Sequence, residues 1–271
     1  MDERNDRVWW VAILAGAAAL IAGIYFFWPQ ASAPVPTASV APPPPVAAPD
    51  AAPPAAEPVI EHPVETLRPT EAPPPVALAD SDGALAAALA HLLGEERVRK
   101  WFHADAMARR FVATVDNLPR QTVAMKVRSL QPVQGRFEVA RDGDAITIGA
   151  GNAARYTPYV QALERLDARQ LAGVYLRFYP LFQQAYEELG YPRAYFNDRL
   201  VHVIDHLLAT PEIAGNLALK QPKVMYEFAD PQLETLSAGQ KAMLRMGPDN
   251  ARRVKAKLRA LRAEITAKPK P

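Results

Sequence analysis

His202 and His206 stand four residues apart, with Asp205 between them. On a helix that spacing turns two imidazoles to one side, where they can share a metal ion or relay a proton. A zinc-protease helix would carry glutamate directly after the first histidine, and Val203 stands there instead. A third ligand would have to come from His91 or His103. The trio supports two readings: a metal or His/Asp site built on His202, Asp205 and His206, or a solvated helix face without metal.

A second grouping is aromatic. Tyr156, Tyr159, Tyr175, Tyr179, Tyr186, Tyr191 and Tyr195 crowd into 40 residues. A phenol has a flat apolar body and a hydroxyl tip, which suits the edge of a core and equally a groove for peptide or glycan. The candidate binding residues are Tyr175, Tyr179, Tyr186, Tyr191 and Tyr195. Other groups carry less. Glu187 and Glu188 are consecutive, so on a helix they diverge by about 100° and form no preset acid–base pair. Asp142-Gly143-Asp144 and Asp80-Ser81-Asp82-Gly83 resemble pieces of a calcium loop without its remaining ligands. No phosphate loop, dinucleotide fingerprint or nucleophile elbow occurs, and no motif calls for a cofactor.

Two helices must position these side chains. Over residues 171–189, Leu171, Val174, Phe178, Leu181, Phe182, Ala185 and Leu189 recur at three- and four-residue steps, predicting one buried stripe. Tyr175, Tyr179 and Tyr186 flank it, Gln183 and Gln184 fall on the far side, and Pro180 predicts a kink near Tyr179. Gly190 and Pro192 supply the stop. The next helix begins at Asn197 or Asp198 as N-cap and ends before Pro211. Leu200, Val201, Val203, Ile204, Leu207 and Leu208 fill one arc of it; Asp198, Arg199, His202, Asp205 and His206 fill the other.

The chain around them has 271 residues, a net charge of +2 and no cysteine. Disulfides, thiolate metal sites and thiol nucleophiles are excluded, and the charge balance gives no case for nucleic acid. Residues 8–28 carry no charge over 21 positions, enough to cross a bilayer core. Trp9, Trp10, Tyr25 and Trp28 mark the two ends, and Arg4 and Arg7 precede the run. The positive-inside rule then puts the N-terminus in the cytoplasm and all that follows outside it. The alternative is a cleaved signal peptide ending at Ala31-Ser32-Ala33, although the apolar run exceeds the usual signal length. Residues 29–79 hold 16 of the 27 prolines and read as a disordered, semi-stiff spacer with an extended reach of roughly 150 Å at about 3.1 Å per residue.

The remainder, residues 80–268, reads as one mainly helical domain. Asp80, Ser81 or Asp82 caps a helix ending at Gly94; a second helical stretch covers residues 95–117 with a break near His103. Asp142-Gly143 predicts a hairpin pairing Val139 with Ile146 and Phe137 with Ile148. Residues 223–228, in which Val224, Tyr226 and Phe228 alternate, are the candidate third strand. Thr157-Pro158 opens a helix to about Leu166. Ser237 and Gln240 have capping-box spacing. The last helix carries a narrow stripe of Val254, Leu258, Leu261 and Ile265; its Arg252, Arg253, Lys255, Lys257, Arg259 and Arg262 are expected in water.

The run from Leu181 to Pro192, continuing through Tyr195-Phe196-Asn197-Asp198-Arg199-Leu200 to Pro211, and then residues 228–250, resembles DUF3014, a bacterial family of envelope proteins with no known activity. The resemblance covers about residues 85–265. It implies an N-terminal membrane segment, a Pro/Ala-rich spacer and a C-terminal domain, and it brings no catalytic residue or cofactor. The resulting expectation is a single-pass inner-membrane protein with a periplasmic helical domain, acting without catalysis as a tethered binding or structural module. Its partner would be another envelope protein or the cell-wall polymer. The alternative is a periplasmic metal-dependent hydrolase using the His/Asp site.

Overall fold

The computed structural model describes residues 59–64 and 76–267. The expected anchor at residues 8–28 lies outside the described residues, and among these no helix is long and apolar enough to cross a membrane. The helices are α1 (Asp82–Leu93), α2 (Glu95–Trp101), α3 (Met107–Asn117), α4 (Gly151–Glu164), α5 (Ala168–Glu188), α6 (Phe196–Leu208), α7 (Pro231–Glu234), α8 (Ala238–Arg245) and α9 (Pro248–Ile265). Four short strands, β1 (Val139–Asp142), β2 (Ala145–Ile148), β3 (Ala218–Lys220) and β4 (Glu227–Phe228), make one antiparallel sheet in the order β1-β2-β3-β4.

The two central helices follow their apolar periodicity. On α5, Leu171, Val174, Phe178, Leu181, Phe182 and Ala185 are all buried; Leu189 is 41% exposed because it is already the C-cap. Helix α5 runs unbroken through Pro180. Asp167 caps its start by accepting the Arg169 and Gln170 amides. At its end Gly190 takes φ +115°. The Gly190 amide bonds Glu187 O at 3.0 Å and the Tyr191 amide bonds Tyr186 O at 3.3 Å, the paired bonds of a Schellman stop. On α6, Leu200, Val201, Val203, Ile204 and Leu207 are buried as the arc requires. Helix α3 packs across both.

Several expectations shift by a few residues. The break near His103 separates α2 from α3, and there the Asp82 carboxylate accepts the Ala106 and Met107 amides, each at 2.7 Å. The start of α3 is thus capped by a side chain from α1. Helix α4 begins at Gly151 and carries Pro158 inside it. The Thr157 hydroxyl and the Asn250 amide both donate to Ala153 O one turn back, so this turn is held from the side chains. The capping box of Ser237 and Gln240 is present.

The hairpin turns one residue later than expected. Val139 pairs with Ile148, Arg141 with Ile146 and Asp142 with Ala145, so Gly143 and Asp144 form the loop. Gly143 takes φ +56° in the first central position, the placement that leaves no side-chain-bearing residue at positive φ. A two-step register change keeps parity, so Phe137, Val139, Ile146 and Ile148 still share one face. That face packs on Leu219, Phe228 and Leu244. The third strand is corrected: β3 at residues 218–220 takes that place beside β2. Of residues 223–228 only Glu227 and Phe228 join the sheet, while Val224 is 79% exposed.

The last helix is also corrected. Despite its narrow stripe, α9 lies among α4, α5 and α6, and Val254, Leu258, Leu261 and Ile265 are buried. Of its six basic residues, only Arg252 and Arg259 are exposed. Lys255 is 4% exposed and donates to Thr210 O at 2.6 Å and to Glu212. Arg253 pairs with Glu164, Lys257 donates to Leu166 O, and Arg262 grips Asp205. Long aliphatic stems let these side chains cover apolar surface while their heads find acceptors.

The folded unit also reaches upstream of residue 80. Leu78 is 5% exposed and Val64 is completely buried, although both fall within residues expected as spacer.

Candidate functional site

The five candidate tyrosines divide into two sets, one on each side of the α5–α6 junction, while Tyr156 and Tyr159 lie buried on α4. Tyr175 is fully buried, with Tyr179 edge-on to it at 5.5 Å and Tyr195 against Tyr179 at 5.4 Å. On the other side Tyr186 stacks on Tyr191 at 4.6 Å.

The junction itself is organised by Gln183. Its carbonyl oxygen accepts the Tyr179 hydroxyl at 3.0 Å and the Phe196 amide at 2.8 Å, and its NH2 donates to Ala194 O and Glu187. One side chain thereby closes the turn and satisfies the first free N–H of α6, a donor every helix start leaves orphaned. Gln183 was expected on the far side of its helix. Asn197 and Asp198, expected as N-caps, do not cap; Tyr195 is the N-cap and makes no side-chain bond to the helix start.

Freed from capping, these two side chains face residues 61–64. The Asp198 carboxylate accepts the Glu61 amide at 3.0 Å and the His62 amide at 2.8 Å. The Tyr195 hydroxyl accepts the Val64 amide at 2.9 Å, and the Asn197 NH2 donates to His62 O at 2.8 Å. Pro63 has no N–H, so every main-chain donor of the four residues is satisfied. Val64 is buried, His62 half-buried, and Glu61 and Pro63 exposed. These side chains hold the segment, bent at Glu61 and His62, by its backbone and by one aliphatic side chain, Val64. The Asn197 NH2 also donates to Ile265 O, tying the site to α9. Two buried polar atoms here have no partner, Asn197 Oδ1 and the Tyr175 hydroxyl. Burial above all pushes the Tyr175 and Tyr179 phenols upward, with the neighbouring tyrosines adding to it. They stay protonated, fit for hydrogen bonding and not for proton transfer near neutral pH.

The other set surrounds Asp116, which is 2% exposed. Its carboxylate meets Arg199 Nε at 2.9 Å and Arg120 at 2.7 Å. The Tyr191 hydroxyl lies 3.3 Å from it, and Arg199 also donates to Asp116 O at 2.7 Å. Burial first, then the Asp116 charge, pushes Tyr186 up to about 12. This cluster ties α3 to α6, and its carboxylate is fully committed.

The histidine trio is distributed over different partners. Both Asp205 oxygens are held by Arg262, at 2.6 and 2.9 Å. His206 Nε2 lies 2.8 Å from Ser237 Oγ, which itself accepts the Gln240 amide. A hydroxyl receiving that N–H can donate to the imidazole, and an imidazole that accepts is neutral. Burial, then His202 and Arg199, hold the His206 pKa below the ordinary value. His202 is exposed. Among the described residues, no group of three or more His, Cys, Asp or Glu is placed to hold a metal ion.

Sequence reasoning missed the partners of Asn197 and Asp198. One signal was present: residues 59–64, Val-Ile-Glu-His-Pro-Val, interrupt the Pro/Ala composition with three branched aliphatics, an acid and a histidine. The sequence model of a family described as a protein of unknown function, DUF3014, matches residues 107–262. That span contains Tyr195, Asn197 and Asp198 and excludes the segment they hold. No curated protein and no solved structure matches the chain.

Proposed function

The chain belongs to the DUF3014 family, and from that premise we propose that it is a non-enzymatic binding or structural module of the bacterial cell envelope. Residues 8–28 anchor it in the inner membrane with the N-terminus in the cytoplasm, and the helical domain works in the periplasm at the end of the spacer. The observation that carries the reading is the capture of residues 61–64 by Tyr195, Asn197 and Asp198 through main-chain bonds. Such contacts suit binding, since they recognise chain geometry and leave no polar group poised on a bond to be broken. The dispersal of His202, Asp205 and His206 over separate partners gives the hydrolase alternative no support of its own.

Two measurements test this. A reporter fused after Pro271 should be active only when exported; activity in the cytoplasm would contradict the localisation. A photo-crosslinker at exposed positions beside Tyr195, such as Arg193, should trap an envelope protein or cell-wall fragment in intact cells. Stoichiometric zinc in the purified chain, lost in a His202→Ala/His206→Ala variant, would favour the hydrolase.

A further inference from the structure

We propose that strand β1 is a pairing edge for a second copy of this chain. The two β1 strands run antiparallel about a two-fold axis at Val139 and join the two four-stranded sheets into one.

Strand β1 ends the sheet on one side, with β2 as its sole strand neighbour among the described residues. The Asp142–Ala145 pair closes the hairpin, and the Glu138 carbonyl accepts the Gly149 amide at 2.9 Å. Main-chain groups alternate sides along a strand, so Glu138, Ala140 and Asp142 bond inward to β2. The N–H and C=O groups of Val139 and Arg141 therefore face outward, and Phe137 continues the series. Such an edge is a template for another strand. The apolar face beside it is also incompletely covered. Phe137, Val139, Ile146 and Ile148 are each only half-buried, over a cluster whose buried members are just Leu219, Phe228 and Leu244.

The symmetry of the run selects a second copy. Gly135 and Gly143, at φ +85° and +56°, bend the chain at equal distances from Val139. The Arg155 guanidinium holds the first bend by the Gln134 and Gly135 carbonyls. Pairing about Val139 thus uses the whole stretch between the bends. Charge makes the same choice. In that register Arg136 stands opposite Asp142 of the copy, once on each side of the axis, and Arg141 stands opposite the Phe137 ring. Arg136 and Asp142 are both exposed, and neither has an ion pair among the described residues. Shifting the register by two residues is the smallest step that keeps outward groups opposed. One direction then sets Glu138 against Glu138, and the other sets Glu138 against Asp142; a second step that way sets Arg141 against Arg141. Like charges directly opposite destabilise a strand pair. Charged edge strands commonly keep copies apart; here the charges repel in the neighbouring registers and attract in one.

Sedimentation of the full chain in density-matched detergent tests this. The unaltered chain should dimerise as its concentration rises. Val139→Pro removes only an outward N–H, so the hairpin should stay intact while the dimer is lost. Arg136→Asp or Asp142→Arg sets like charges opposite each other at both ends of the pairing and should weaken dimerisation at least about tenfold. Combining Arg136→Asp with Asp142→Arg exchanges the pair and should return the affinity to within about threefold of the unaltered chain. Should Val139→Pro fail to unfold cooperatively, the charge variants, at exposed positions, carry the test. A chain that stays monomeric at every concentration overturns the proposal. So does a dimer that the single charge changes leave as tight as before, or one that the exchange does not restore.

Discussion

Helix α6 presents polar groups in two places, and they are engaged differently. At its start, Tyr195, Asn197 and Asp198 bond the main chain of a segment more than 130 residues away in sequence. Along its polar arc, Arg199, Asp205 and His206 bond the side chains of Asp116, Arg262 and Ser237, on or beside the helices that pack against it. Asp116 and Ser237 are buried, so Arg199 and His206 are tied into the core, while the Asp205–Arg262 pair lies at the surface. The start is tied to a strap through four main-chain bonds and one buried side chain, Val64, a connection expected to open before the rest of the core does. A binding site is therefore better sought where polar groups hold a separable partner than where they have the most chemical character, and by that measure the tyrosine end outranks the histidines.

The largest expected effect falls on the arc. Arg199→Ala leaves Asp116 buried with only the half-exposed Arg120 opposite it. Breaking a buried pair costs about 3–5 kcal/mol. Because the Arg199 side chain is 24% exposed, solvent already screens part of the pair, and a loss of about 2–3 kcal/mol is expected in denaturant unfolding. The loss should appear at the core midpoint, with residues 61–64 as protected in the folded state as before.

Val64→Ala comes next, on the strap. Two buried methyl groups are lost, about 1.6 kcal/mol at about 0.8 each. The loss should appear as local release of residues 61–64, with the core midpoint nearly unchanged; a midpoint shift as large as that of Arg199→Ala would erase the distinction between the two places.

Tyr175→Phe should go the other way. Its hydroxyl is buried without a partner, so removing it relieves a desolvation cost, and a stability gain of up to about 1 kcal/mol is expected by thermal unfolding. Loss of more than that would reveal a partner the hydroxyl depends on.

The smallest effect is pH dependence at His206. Its folded pKa is lowered, chiefly by burial, so the unfolded state binds its proton first. The stability it confers is present above the ordinary histidine value and is lost as pH falls through the lowered one. His206→Gln should therefore lose less stability than the unaltered chain between about pH 7 and 5, while exposed His202→Ala should change stability by no more than about 0.5 kcal/mol at either pH.

How far the sequence foretold this depends on what each feature needs. The Gly190 stop, the Ser237 capping box and most of the arcs of α5 and α6 rest on local periodicity and local turn chemistry and stand as read, while Leu189 is exposed and Gln183 turns into the junction. The hairpin register depended on which residue takes positive φ, and Gly143 in the first loop position settles it with less strain than Asp142 there. Strand β3 is three residues long, too short for its alternation to mark it as a strand. The burial of Lys255 follows from acceptors at Thr210 and Glu212, which only the tertiary fold brings near. The strap was hidden for a related reason. An irregular segment held by its backbone has no periodicity, and Asn197 and Asp198 look like caps until their partners are in place.

The central claim is that Asp198 holds a separable segment by its main chain, and amide hydrogen exchange on the full chain tests it most directly. Glu61, His62 and Val64 amides should exchange slowly in the unaltered protein. In Asp198→Asn they should become fast while amides of α3, α5 and α6 keep their protection. Fast exchange at these three positions in the unaltered chain, or slow exchange that persists in Asp198→Asn, would contradict it.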